Sequence, residues 1–189
     1  MNMKLFSRAE MFNKMASDPK NSPDRIIEIL ALKRGQSVAD IGSGGGYFTF
    51  RFASLVGNDG RVYAVDSNPG FLEFINREAK DQSVGNIITV QVKDSPDLPQ
   101  KSMDLIFFRN VTHHLPNRVE YFKKLMQFMK PEGRIAIIEY RKGHGISGLF
   151  RHYVPTETLI NEMTQAGYRV QKEFDFLPEQ SFTIFVPNK

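Results

Sequence analysis

From residue 37 onward, short apolar runs alternate with segments in which apolar positions recur every three or four residues. SVADI (37–41), RVYAV (61–65), IITVQV (87–92), MDLIFF (103–108) and RIAIIEY (134–140) are brief, rich in β-branched or aromatic residues and apolar on both faces. Strands of that kind belong in a buried parallel sheet. Helical spacing falls between them, near 46–56, 70–82 and 117–129, the last stopping at KPEGR. The alternation predicts an α/β fold: a doubly wound sheet with right-handed crossovers.

The two ends depart from this rhythm. The first 36 residues read as a helical lead-in, in which PDRIIEILALK starts on Pro23 and places Ile26, Ile27, Leu30 and Ala31 on one face. Such a helix covers one edge of the domain. Before it, LFSRAEMFNKMA carries Leu5, Phe6, Met11, Phe12 and Met15, read first as core and second as the lining of an apolar substrate site. At the other end a helix from PTETLINEMTQAG leads to YRVQKEFDF (168–176), LPEQ and SFTIFV (181–186). Two strands so close in sequence must pair antiparallel, so the sheet is expected to finish with a hairpin and one reversed strand.

Composition narrows the chemistry. At 189 residues the chain suits one compact domain, taken as 1–189, with enough length for a core of its own. The formal charge of +4 is spread along the chain, which suits solubility and offers little to a nucleic acid. No apolar run approaches the ~18 residues that cross a bilayer, so the expectation is a soluble cytoplasmic protein. With no cysteine, disulfides, thiolate catalysis and Cys-ligated zinc are excluded.

The densest signal is VADIGSGGGYF (38–48), where Asp40 ends an apolar run and Gly42, Gly44, Gly45 and Gly46 follow. Glycine there permits positive φ and close approach of a ligand, and the N–H groups at a helix start favour a polar or anionic group. A dinucleotide fingerprint would need a third glycine at Tyr47, and a Walker loop would need a Gly-Lys pair, so neither motif fits. Asp66 closes the second strand in VYAVDSNPG, 20 residues after Gly46, where an acid can take both hydroxyls of a ribose. DSNPG is equally good turn chemistry. The third strand runs into VKDSPDLP, placing Asp94 and Ser95 at the same edge; Asp94 can accept from an adenine amino group or close a turn.

Together with MDLIFFRNVTHHL and MKPEGRIAIIEY, these segments resemble the class I methyltransferases that use S-adenosylmethionine (SAM), in particular the type 11 group with its quinone-precursor enzymes. The likeness spans residues 23–189. It implies a Rossmann-like, seven-stranded sheet with an antiparallel last strand, SAM as cofactor and S-adenosylhomocysteine as product. It also implies that Asp40 with Gly42, Ser43, Gly44 and Gly46 hold the methionine part, Asp66 with Ser67 the ribose, Asp94 with Ser95 the adenine, and that the backbone at Arg109 and Asn110 faces the methionine end. Methyl transfer is then an in-line displacement governed by alignment and exclusion of water.

RNVTHHLPNR puts His113 and His114 at the carboxyl edge of the fourth strand. An ordinary imidazole, titrating near ~6.5, suits a general base, though positioning or helix capping is the alternative. Adjacent histidines lack the i, i+4 spacing of a helical metal site, so no metal is expected. Glu139 and Tyr140 end the fifth strand, followed by the basic segment RKGHGISGLFRHYV. The expected acceptor is a small molecule, apolar or anionic; arsenite is made improbable by the missing cysteines. The rival readings are a nicotinamide-dependent oxidoreductase, a non-catalytic SAM-binding protein, and a methyltransferase acting on protein or RNA. Oligomeric state is not readable.

Overall fold

Proline and left-handed residues punctuate the start of the chain. In the computed structural model, which describes residues 8–93, 95–141 and 153–188, α1 (Arg8–Ser17) is followed by a 3-10 turn at Pro19–Asn21. Helix α2 (Pro23–Leu30) begins on its proline and ends at Ala31, whose φ of 43° takes the chain out of the helix. Its Ile26, Ile27 and Leu30 are buried, as the one-sided spacing requires. The core reading of the preceding segment is corrected: α1 buries its small residues Ala9 and Ala16, while Met11 and Met15 are 45% and 48% exposed. Leu5 and Phe6 lie outside the described residues.

Seven strands form one sheet in the order β3-β2-β1-β4-β5-β7-β6. By contacts the chain divides into two compact units, Met1–Pro96 and Asp97–Lys189. The first holds β1 (Ser37–Ile41), α3 (Tyr47–Val56), β2 (Arg61–Asp66), α4 (Pro69–Asp81) and β3 (Ile87–Gln91). β1 and β2 pair in parallel from Ser37↔Arg61 to Ile41↔Val65, and β2 and β3 from Val62↔Ile87 to Asp66↔Gln91. Val38, Ala39, Phe52, Val62 and Ile75 form its core. β3 is not the buried strand its composition predicts: it is an edge strand with no fully buried residue, and Ile88 is exposed.

The second unit holds β4 (Met103–Arg109), α5 (Arg118–Leu125), a 3-10 turn at Met126–Phe128, β5 (Met129–Tyr140), α6 (Thr156–Gln165), β6 (Tyr168–Phe174) and β7 (Gln180–Pro187). β4 and β5 are parallel, whereas β7 runs antiparallel to both β5 and β6, the hairpin expected from the short LPEQ link. β5 starts five residues earlier than predicted. Met103 pairs with Met129 and Leu105 with Arg134, so the KPEGR segment is a bulge inside the strand rather than a turn before it. A Cβ at Gly133 would come within 2.7 Å of the Met103 carbonyl oxygen, and Lys130 Nζ donates to Asp104 Oδ2 at 2.7 Å, pinning the bulge on both sides. Among the described residues no helix is long and apolar enough to cross a membrane.

Candidate functional site

The glycine loop of the first unit is tied down by its own neighbours. Gly42, Gly44 and Gly46 take positive φ values of 74°, 53° and 86°. Gly42 and Ser43 donate their N–H groups to Val65 O, Gly44 donates to Asp66 Oδ2 at 3.0 Å, and Gly46 donates to Ser43 O. Tyr47, the first residue of α3, donates to Asn13 Oδ1 at 3.0 Å, while Asn13 Nδ2 donates to Gly45 O at 2.8 Å. Asn13 on α1 therefore caps α3 from another helix. A Cβ at Gly45 would collide with the Ala9 carbonyl oxygen and the Asn13 amide, so this glycine is required by α1.

That bonding alters what the loop can hold. A phosphate cradle needs free N–H groups aimed at the ligand, and those of Gly42, Ser43, Gly44, Gly46 and Tyr47 already have acceptors. What remains open is acceptor capacity and a hydroxyl. Asp66 takes one backbone N–H on each carboxylate oxygen, from Gly44 and from Asn68 at 2.9 Å. A carboxylate has about four lone-pair sites, so acceptor capacity remains for a diol. Its bond to Asn68 makes Asp66 the turn aspartate as well. Ser43 Oγ is buried without a hydrogen-bond partner among the described residues. Asp40 is 4% exposed and accepts from Thr49 Oγ1 at 2.6 Å, bracing β1 against α3. Ser67 is exposed and Ser95 half-buried. Asp94 lies outside the described residues, as does 142–152.

In the second unit an acid–histidine cluster is built around Glu139, a carboxylate with no exposed surface. Thr112 donates its N–H, at 3.1 Å, and its hydroxyl to Oε2. Oε1 accepts the Tyr140 N–H at 2.9 Å and lies 3.0 Å from His113 Nδ1. Burial pushes the Glu139 carboxyl up, but the bonds from His113, Thr112 and Tyr140 and the charge of His113 outweigh it and hold the group below the usual carboxylate range. His113 Nε2 is 3.1 Å from His114 Nε2, on an exposed residue. Asn110, at φ 53°, donates its N–H to Ile138 O, and its Oδ1 accepts from Gln180 Nε2 at 2.6 Å. Arg109 is half-buried at the end of β4.

The predicted residues thus fall into two groups. Asp40, Gly42, Ser43, Gly44, Gly46 and Asp66 are gathered around one loop, and Asn110, His113 and His114 around the ends of β4 and β5. Asn13, Thr49, Thr112 and Gln180 were not anticipated as site residues: each acts through a side-chain contact that the sequence pattern does not show, whether nine residues away, as from Thr49 to Asp40, or seventy, as from Gln180 to Asn110.

A family model described as a methyltransferase domain matches residues 32–176. The chain belongs to that family. Aklanonic acid methyltransferase DauC of Streptomyces sp. strain C5 is 32% identical over 113 residues, which are 59% of this chain and 51% of that protein. The ubiquinone/menaquinone biosynthesis C-methyltransferase UbiE of Yersinia enterocolitica is 28% identical over 118 residues, 61% of this chain and 47% of that protein. The chain spans about half the length of these curated relatives. A SAM dependent methyltransferase from Aquifex aeolicus shares the fold with a TM-score of 0.77 at 21% identity, covering 96% of this chain and all of that one.

Proposed function

We propose that this methyltransferase-family chain, acting over residues 1–189 as one domain, transfers the methyl group of SAM to a small-molecule acceptor. The observation that carries the reading is the loop itself: the N–H groups of Gly42, Ser43, Gly44, Gly46 and Tyr47 are consumed internally while the Asp66 carboxylate and the Ser43 hydroxyl retain bonding capacity. Such a site suits a cofactor that lacks phosphate and bears a ribose and a positive charge, and it disfavours a pyrophosphate-bearing nicotinamide. When bound, SAM supplies an electrophilic methyl on a sulfonium. Asp66 and Ser67 hold the ribose, Asp94 and Ser95 the adenine, and Ser43 with the Gly42–Gly46 backbone, Arg109 and Asn110 the methionine part. Asp40 keeps the loop in register through Thr49. An apolar face on the acceptor is supported by exposed Met11 and Met15 beside Phe12, which packs over Gly44. A cytoplasmic location belongs to the same reading and is tested by fractionating cells that express the tagged chain.

Calorimetric titration with S-adenosylhomocysteine tests the reading, with NAD as control ligand. Wild type binds S-adenosylhomocysteine and not NAD. Asp66→Ala weakens binding by about 1.5–3 kcal/mol, the range for hydrogen bonds to a charged group, or roughly tenfold to a hundredfold in Kd. Tight NAD binding, or no binding of S-adenosylhomocysteine to wild type, would overturn it.

A further inference from the structure

The sheet ends in β3 on one side and β6 on the other, and only β6 is defended. A bare strand edge offers unpaired N–H and C=O groups to other chains, and proteins block it with charges, proline or a bulge. β6 carries Arg169, Lys172 and Glu173 and a register shift between Val170 and Lys172. β3, with the sequence IITVQ, has no charge and no proline, and pairs with β2 without a shift. Two bonds fix which of its groups face outward: Val62 donates its N–H to Asn86 O, and Val92 donates to Asp66 O. In a parallel ladder alternate residues bond to a given neighbour. Ile88 and Val90 therefore bond to β2, and the N–H and C=O groups of Ile87, Thr89 and Gln91 lie on the open edge.

One face of the same strand is also bare. Asn76 Nδ2 of α4 donates to Thr89 Oγ1 at 3.0 Å, so Thr89 points to the helix and Ile88 and Val90 point to the opposite face. Crossover helices ordinarily cover a parallel sheet on both faces. The described residues of the link from β3 to β4 form no helix, and Ile88 is 41% exposed, with Val90 and the adjacent Tyr63 half-buried.

We propose that β3 pairs antiparallel with β3 of a second copy of this chain about a two-fold axis at Thr89. Three features of the edge are self-complementary about that axis. Thr89 meets Thr89 of the second copy, and Ile87 meets Gln91; these are the residues whose backbone groups face outward, so each pair exchanges two N–H···O bonds. Ile88 falls opposite Val90 of the second copy, at the positions without hydrogen bonds where side chains come closest, and the two cover the bare face. On the other face, Asn76 marks the side of α4 that leans over β3. Glu73 and Lys80 lie three residues before it and four after, on the same stripe, both exposed and neither in an ion pair among the described residues. The two-fold axis lays α4 alongside its copy in the opposite direction, so Glu73 of each chain faces Lys80 of the other. A foreign strand would use the backbone groups alone, whereas a second copy uses all three features, as an isologous interface requires.

Sedimentation velocity of the full chain over a dilution series tests the proposal. The contact is small for a specific interface, so a dimer that dissociates at roughly micromolar concentration is expected. Ile88→Lys puts a charge on an exposed edge position and should raise the dimer Kd roughly tenfold or more, with circular dichroism showing an intact fold. Glu73→Lys and Lys80→Glu should each weaken the dimer by roughly tenfold at low salt, since each reversal turns two attractions into repulsions. The double variant Glu73→Lys/Lys80→Glu should return to the wild-type Kd. In hydrogen exchange, the amides of Ile87, Thr89 and Gln91 should slow as concentration rises, while those of Ile88 and Val90 do not change. A wild type that stays monomeric at every concentration overturns the proposal and leaves the edge to a foreign strand or to water. A dimer indifferent to Ile88→Lys overturns it by placing the interface elsewhere, and a double variant no tighter than the single ones overturns the register about Thr89.

Discussion

A methyl group added at each glycine of the loop meets a different obstacle. At Gly44 it touches only the Phe12 ring, 3.5 Å away, so Gly44→Ala bears mainly the left-handed backbone, roughly 1–2 kcal/mol. At Gly46 it meets Ile75 Cγ1 at 2.8 Å on top of a φ of 86°. At Gly45 there is no positive φ, yet the new atom strikes the Ala9 carbonyl and Asn13, and a backbone oxygen cannot swing aside. Thermal unfolding should therefore rank Gly44→Ala as mildest, with Gly45→Ala and Gly46→Ala each losing about 2–4 kcal/mol through strain and overpacking. At roughly 2–4 °C per kcal/mol for this chain length the ranking is measurable. If Gly44→Ala is as damaging as Gly45→Ala, then α1 does not press on the loop as described. The glycine spacing itself was legible in the sequence. Its cause at Gly45 was not, because the partner lies more than thirty residues earlier in a helix whose pattern advertises only its own weak amphipathicity.

Helix α1 is a weak element by itself: ten residues, few buried side chains and two exposed methionines. Isolated helices of that length are marginal in water, so its place depends on Asn13, which satisfies both an orphan N–H of α3 and the Gly45 carbonyl. Asn13→Ala should cost about 1–2 kcal/mol, the worth of a lost helix cap. Hydrogen exchange should locate the effect in α1 and at Tyr47, with the amides of α4 unchanged. Uniform acceleration across the unit would mean that Asn13 is an ordinary surface residue. The presence of α2, α3, α4 and the strands was legible from local periodicity. What distant pairing decides was not: β3 carries interior residues to an exposed edge, and β5 begins pairing ahead of a Pro-Glu-Gly sequence that by local rules ends a helix. Local chemistry read KPEGR as the stop signal of the preceding helix, but only the partner strand decides whether such a segment is a turn or a bulge.

At the scale of the molecule, the alternation of short apolar runs and helical spacing was enough to predict a doubly wound α/β sheet that ends in a hairpin with one reversed strand, since each connection length admits few topologies; the count of seven strands came from the family resemblance. The same pattern has no access to electrostatics, which emerge only once Glu139 is buried beside His113. The folded-state pKa of Glu139 is depressed, so the folded chain binds fewer protons than the unfolded one at moderately acid pH. Its contribution is present above the unfolded value of ~4.3 and is lost as pH falls through the lower folded value. His113 and, at longer range, Arg118 are the cationic groups that act on it. At the other extreme, burial raises the phenols of Tyr121 and Tyr168, so the stability tied to their neutral forms is present below ~10 and declines as pH rises beyond it. Urea unfolding across pH should therefore give a plateau with two flanks. Glu139→Gln, unable to titrate, should be less stable by about 1–3 kcal/mol at neutral pH, the scale of unmet buried hydrogen bonds. It should also show a shallower acid flank, with its alkaline flank unchanged. An acid flank as steep in the variant as in wild type would assign acid sensitivity to the other carboxylates and leave Glu139 a packing residue.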